Sequence, residues 1–239
     1  MQLKNAVVLV TGANRGIGAE FVAQLKKRGA AKIYAASRNA SAVDVDGVEP
    51  IQLDITDPAQ VQAVAAVAGD VQVLVNNAGI STGTSVISGD VADIRREMDT
   101  NFFGALLMTQ AFAPILKTNG GGAILNVVSA LSWFTIPGAG AYAASKAAAW
   151  SLTDSARLEL AQQGTHVVGV HMGLVDTDMA AGVQGPKISP SALVIAGLDA
   201  IESGLDEVLA DDWAGFVKSG LALGPSERYE QLFSALSGN

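Results

Sequence analysis

"VLVTGANRGIGAEF", residues 8–21, governs how the rest of the chain is read. It begins with apolar, β-branched residues of strand character and ends in a run that favours a helix. Between the two lie Gly12, Gly16 and Gly18, spaced G-x-x-x-G-x-G. Glycine permits the dihedrals of such a turn and lets a phosphate approach the backbone. The helix start then offers unpaired N–H groups and the positive end of its dipole to an anion. A glycine triplet alone fits any tight turn, so its meaning depends on the rest of the chain.

Further apolar runs of strand length lie at 31–36, 48–53, 71–75, 122–128 and 166–170, after the first at 6–10. They are continuous, not alternating, as in parallel strands buried on both faces. Helical patterns lie between them at 17–28, 57–68, 91–117 and 141–163. The second crossover, "SRNASAVDVDGVEP" (37–50), has room for about one helical turn. Beyond the sixth strand, 190–203 reads as a helix, 207–210 as an edge strand and 225–237 as a terminal helix. Alternating strand and helix predicts an α/β fold: a single-domain, Rossmann-type, doubly wound parallel sheet flanked by helices, over residues 1–239.

Composition narrows the function. Fifteen Lys and Arg against 23 Asp and Glu give a net charge of −8, with no basic run. Such a chain is a poor nucleic-acid binder and lacks a polybasic membrane segment. No apolar stretch reaches spanning length. With no cysteine there are no disulfides or thiolate metal sites. His166 and His171 share one strand-like stretch without metal-ligand spacing, so no metal is expected. A cytoplasmic location is expected.

In "AYAASKAAAW" (141–150), Tyr142 and Lys146 are four residues apart, on one helix face. Were a dinucleotide in the glycine turn to pass hydride to a carbonyl, the alkoxide formed would need a proton, and the reverse reaction a base. A free phenol has a pKa near 10, and a nearby ammonium is expected to lower it. Tyr142 is therefore the candidate general acid/base and Lys146 its tuner. Ser129 closes the strand "AILNVVS", where its hydroxyl can polarise a carbonyl oxygen opposite the tyrosine.

Several stretches together resemble the short-chain dehydrogenases/reductases: "TGANRGIG" (11–18), "LDIT" (53–56), "NNAG" (76–79), Asn101 in "TNFFG", Ser129 and "YAASK" (142–146). They stand in that family's order and spacing over roughly residues 6–180. The resemblance implies an oxidoreductase with Ser129, Tyr142, Lys146 and Asn101 as catalytic residues, Asn101 holding a relay water. It implies dinucleotide contacts from Gly12, Asn14, Arg15, Gly16, Ile17 and Gly18. Asp54 and Ile55 would lie beside the adenine, and Asn77, Ala78 and Gly79 would allow close approach. Tyr142 and Lys146 would also meet the cofactor, Lys146 through the nicotinamide ribose. Small residues in the Tyr142 helix fit the family's subunit interface, hence a homodimer or homotetramer.

The end of the second strand, "YAASRN", carries Ser37 and Arg38 where an acid would select NAD. Arg38, with Arg15 from the glycine turn, would bind a 2′-phosphate. Two contacts of about 1.5–3 kcal/mol each, if partly shielded, would favour NADP (NADPH) by roughly 10²–10⁴. The chain departs from the family at "HMGLVDTDM" (171–179), where Met172 stands in place of a proline. Gly173, Val175 and Thr177 are still expected against the nicotinamide. Leu131, Trp133, Phe134, Met172, Leu174 and Met179 are expected to face a small apolar or aromatic carbonyl or alcohol substrate. The alternatives are a family member acting on a 3-oxoacyl thioester, sugar or steroid, and a non-catalytic NADP-sensing protein.

Overall fold

The computed structural model describes residues 1–43 and 47–237. Strands β1 (Val7–Thr11), β2 (Lys32–Ser37), β3 (Glu49–Gln52), β4 (Val73–Asn76), β5 (Ala123–Val127) and β6 (His166–His171) form the main sheet, with a later strand, β9 (Glu207–Leu209), at its edge. The order is β3-β2-β1-β4-β5-β6-β9, all parallel. The crossovers are α1 (Gly16–Lys27), α2 (Pro58–Val67), α3 (Val91–Met98) with α4 (Ala105–Thr118), α5 (Gly140–Leu160) and α6 (Pro190–Ser203). Strands β7 (Leu174–Val175) and β8 (Lys187–Ile188) pair separately, and β9 (Glu207–Leu209) adds beside β6. Two helices close the chain, α7 (Asp212–Ser219) and α8 (Pro225–Ser237).

The continuous apolar strands are explained by burial on both faces. Val8, Val10, Leu125 and Val170 pack toward Phe21 and Leu25 of α1 and Leu193 and Leu198 of α6. Leu9, Leu74 and Ile124 turn the other way, toward Met108, Phe112 and Leu116 of α4. Each such side chain contributes about 1.5–3 kcal/mol by leaving water. A third cluster joins Trp133 and Phe134 to Ala214 and Val217 of α7 and Leu232 of α8. The strand order reverses at β1, so a crevice opens at the carboxyl ends of β1 and β4, where ligands bind in such sheets.

Two readings need correction, while the second crossover holds the single turn expected of it. The helix expected at 91–117 is broken by a π-helical segment, Asp99–Gly104. A β-carbon at Gly104 would lie 2.5 Å from Ile55 Cδ1, so the helix approaches the Ile55 loop closely there. The side chain of Asn101 is also turned out to the 80s loop. Tertiary contacts of this kind favour π-bulges. Helix α7 and the β7–β8 pair were not read from the sequence. The second crossover has a 3₁₀ turn at Ala40–Ala42, and the rest of that stretch, 44–46, lies outside the described residues.

Candidate active site

The glycine turn is shaped by contact with the segment after β4. Gly12 has φ +65°, and a β-carbon there would come within 2.9 Å of Ala78 Cα. At Gly18 it would fall 2.0 Å from the Gly12 carbonyl oxygen. No larger residue fits either place. Asn77 locks the two segments together: its Nδ2 donates to the Thr11 carbonyl at 2.8 Å, and its N–H to Thr11 Oγ1 at 3.0 Å. Arg15, at the N-cap of α1, makes no capping bond through its side chain, so the first helical N–H groups face the cleft. Asn76 instead points inward. Its Nδ2 donates to Asn126 Oδ1 at 2.9 Å, and Asn126 Nδ2 donates to Thr153 Oγ1 at 2.9 Å, a polar ladder from β4 through β5 to α5.

Every residue expected to touch a dinucleotide lines one cleft of about 1170 Å³. At one end are Ser37, Arg38, Asp54 and Ile55; at the other are Tyr142, Lys146, Gly173, Val175 and Thr177. Arg38 makes no ion pair among the described residues. Arg15 reaches only Asp178, at 3.7 Å, with both side chains largely exposed, so the pair is weak. Both guanidinium groups are therefore available to an anion. Glycine cradle, open helix start and two cations together fit a dinucleotide bearing an extra phosphate.

Ser129, Tyr142 and Lys146 come together deeper in the same cleft. Ser129 follows β5 and caps the 3₁₀ turn Ala130–Ser132, its Oγ accepting from Leu131 N–H at 3.1 Å. Tyr142 lies in the first turn of α5, half-buried and hydrogen-bonded to the Ser129 side chain. Lys146, one turn on, is buried. Its Nζ donates to the Val127 carbonyl at 2.8 Å and lies 5.7 Å from the centre of the Tyr142 ring. Burial lowers the ammonium to about 8.

The phenol does not follow the sequence expectation. Burial pushes Tyr142 up to about 12, against the pull of its Ser129 hydrogen bond and with a push from the Glu97 carboxylate. Desolvation thus dominates in this arrangement, and the phenol keeps its proton throughout the neutral range. That is the form needed to donate a proton to an alkoxide.

Asn101 is buried behind the cleft and does not line it. Its Nδ2 donates to the Ile80 carbonyl and to Ser145 Oγ, both at 2.9 Å, and its Oδ1 accepts from Ile80 N–H at 2.8 Å. Glu97, one turn earlier, is fully buried and accepts from Thr82 N–H and Thr82 Oγ1. The two side chains hold the 80–82 stretch against the helix.

Leu131, Met172, Leu174 and Met179 line the cleft as expected of substrate-facing residues, joined by Ile136, Ala139 and Val183. Trp133 and Phe134 do not. Trp133 stacks on the buried ring of His171 at 3.9 Å, and Phe134 meets Trp213 edge-on at 5.9 Å. Both belong to the core beneath α7, where the rings pack among apolar groups while the Trp133 indole N–H finds no hydrogen-bond partner among the described residues. Sequence reasoning missed Arg96, Asp99, Thr100 and Phe103, which line the cleft from the α3 side. Their three- and four-residue spacing marks one helix face, a signal available in the sequence.

Fold and cleft together define a doubly wound nucleotide-binding protein with a serine–tyrosine–lysine cluster beside the nucleotide turn. Residues 6–187 match the family described as short chain dehydrogenase, and the chain belongs to that family of oxidoreductases. A solved short chain dehydrogenase from Burkholderia cenocepacia, in complex with NADP, is 41% identical, with a TM-score of 0.89 and 98% of each chain covered. The 3alpha-hydroxysteroid dehydrogenase of Mediterraneibacter gnavus is 35% identical over 207 residues, 80% of this chain and 82% of that one. The NADP-dependent 3-hydroxy acid dehydrogenase of Schizosaccharomyces pombe is 30% identical over 194 residues, 75% of each. Among the described residues, no helix is long and apolar enough to cross a membrane.

Proposed function

We propose that this chain is an NADPH-dependent oxidoreductase that interconverts a ketone or aldehyde with an alcohol. The observation that carries the reading is the meeting of Ser129, Tyr142 and Lys146 in the cleft that begins at the glycine turn. NADPH, when bound, supplies the hydride. Arg15 and Arg38 would hold its 2′-phosphate, and the N–H groups at the start of α1 its pyrophosphate. Two similar proteins support this choice of cofactor: one was solved with NADP and the other is named as NADP-dependent.

The chain's own residues do the rest. Ser129 Oγ holds the substrate oxygen and orients it toward the phenol. Tyr142, protonated at neutral pH, gives its proton to the oxygen as it becomes an alkoxide. Lys146 keeps a positive charge beside the phenolate that this leaves. Asn101 fixes the 80s loop through Ile80 and, through Ser145, the helix that bears Tyr142 and Lys146. The wall of Leu131, Met172, Leu174 and Met179 would receive an apolar or aromatic substrate and offers no charge to a phosphorylated one. Similarity to a hydroxysteroid dehydrogenase supports including bulky alicyclic ketones among the substrates tested. The enzyme would work as a homodimer or homotetramer joined through α4 and α5.

The test is Tyr142→Phe, assayed by NADPH consumption against a panel of ketones and aldehydes. It removes the proton and keeps the ring. The expected result is a kcat at least roughly 10² lower, with NADPH affinity and melting temperature close to those of the wild type. Near-normal turnover in the folded variant would refute the role of Tyr142.

A further inference from the structure

The wall of the cleft that runs from Met172 to Thr177 is held from outside the cleft. The Gly173 N–H donates to Asp211 Oδ2 at 2.8 Å. The other oxygen of the same carboxylate, Oδ1, accepts from Ala214 N–H at 2.7 Å and caps α7. One side chain thus starts a helix with one oxygen and grips the wall with the other. Contact is close on every side. A β-carbon on Gly173 would lie 2.9 Å from Trp213 Cδ1 and 3.1 Å from Asp211 Oδ2. The neighbouring Met172 carbonyl accepts from Ala130 N–H at 2.8 Å, next to Ser129. The Ala210 N–H donates to the His171 carbonyl at 2.8 Å, which brings Asp211 to its place.

We propose that Asp211 is a positioning residue for the dinucleotide: through Gly173 it sets the wall that faces the reacting end of the cofactor. This rests on the NADPH reading above. The chemistry requires a carboxylate. Its two oxygens both accept, and a charged acceptor makes the stronger bonds. An asparagine would have one acceptor, and its NH₂ would be turned against an N–H. A serine caps helices about as well as aspartate, but its single, shorter-reaching oxygen cannot stand at both places. Asp211→Ser therefore keeps the cap and releases the wall.

Three measurements test this on the full chain. The first is the melting temperature. The second is hydrogen exchange of the Gly173 amide without added dinucleotide. The third is NADPH affinity by fluorescence titration, together with the KM and kcat for NADPH. Asp211→Ser should melt close to the wild type, lose about tenfold in Gly173 protection and bind NADPH about tenfold more weakly, with KM changing more than kcat. Gly173→Ala should weaken NADPH by the same route, pushing against Trp213 and the carboxylate. Combined with Asp211→Ser its effect should be less than additive, since the two share the Asp211 contact and only the push on Trp213 remains. Unchanged Gly173 protection in Asp211→Ser would overturn the grip. Lost protection with unchanged NADPH affinity would overturn the positioning role. A wild-type protein that binds NADH and not NADPH would overturn the cofactor reading instead, and the exchange result would still decide the grip.

Discussion

Replacing Lys146 with methionine should make this protein more stable and inactive. The ammonium is buried, and burial lowers it from its ordinary 10.5 to about 8. At about 1.4 kcal/mol for each tenfold change in proton affinity, holding the charge at pH 7 costs the fold roughly 3 kcal/mol. Methionine fills similar space without charge but gives up the bond from Nζ to the Val127 carbonyl, worth about 1 kcal/mol. The net gain expected is about 2 kcal/mol, or about 4–8 °C in melting temperature for a domain of this size. The sign depends on pH. Between about 8 and 10.5 the unfolded chain holds more protons than the folded one, so the wild type gains stability as pH rises through that window. The advantage of Lys146→Met should therefore be largest near pH 7 and vanish near pH 10. Urea or thermal unfolding of both proteins at the two pH values, without dinucleotide, measures it. A variant less stable than the wild type at pH 7, or a difference that ignores pH, would refute the reasoning. Carbonyl reduction by the variant should fall by at least roughly 10².

Two more outcomes are expected at particular residues. Arg38→Asp replaces a cation at the 2′-phosphate with an anion and should turn the ratio of kcat/KM for NADPH over NADH toward NADH by about 10²; an unchanged ratio would show that Arg38 does not touch the phosphate. Trp133→Ala should lower stability by about 3–5 kcal/mol, because the ring is buried against His171 and Trp150, while a substrate-facing tryptophan would chiefly have raised the substrate KM.

The strands could be read because burial on both faces leaves an unmistakable apolar run, as in Val7–Val10. The glycine turn, the arginines and the tyrosine–lysine pair could be read because their chemistry restricts residue type and spacing together. What escaped depends on distant neighbours. The break at Asp99–Gly104 answers to Ile55 and Ile80, which lie in loops earlier in the chain, before α3 begins. Trp133 and Phe134 look alike in sequence whether a ligand or α7 covers them. The phenol's acidity could not be judged from a lysine four residues away, since burial sets it. Asp211 reads as an ordinary surface acid until Gly173 is seen beside it.

The cluster that unites Trp133, Phe134, Val217 and Leu232 also divides the cleft by what supports it. The glycine turn, Arg15, Arg38 and the polar ladder of the central sheet all come before β6 in the chain. The loop bearing Leu131 and Ile136 is different, since it rests on partners from the last two helices and on the Tyr229 hydroxyl, which accepts from Thr135 N–H at 3.1 Å. The parts of the cleft before β6 thus stand without α7 and α8, whereas the loop proposed to face a second reactant leans on both.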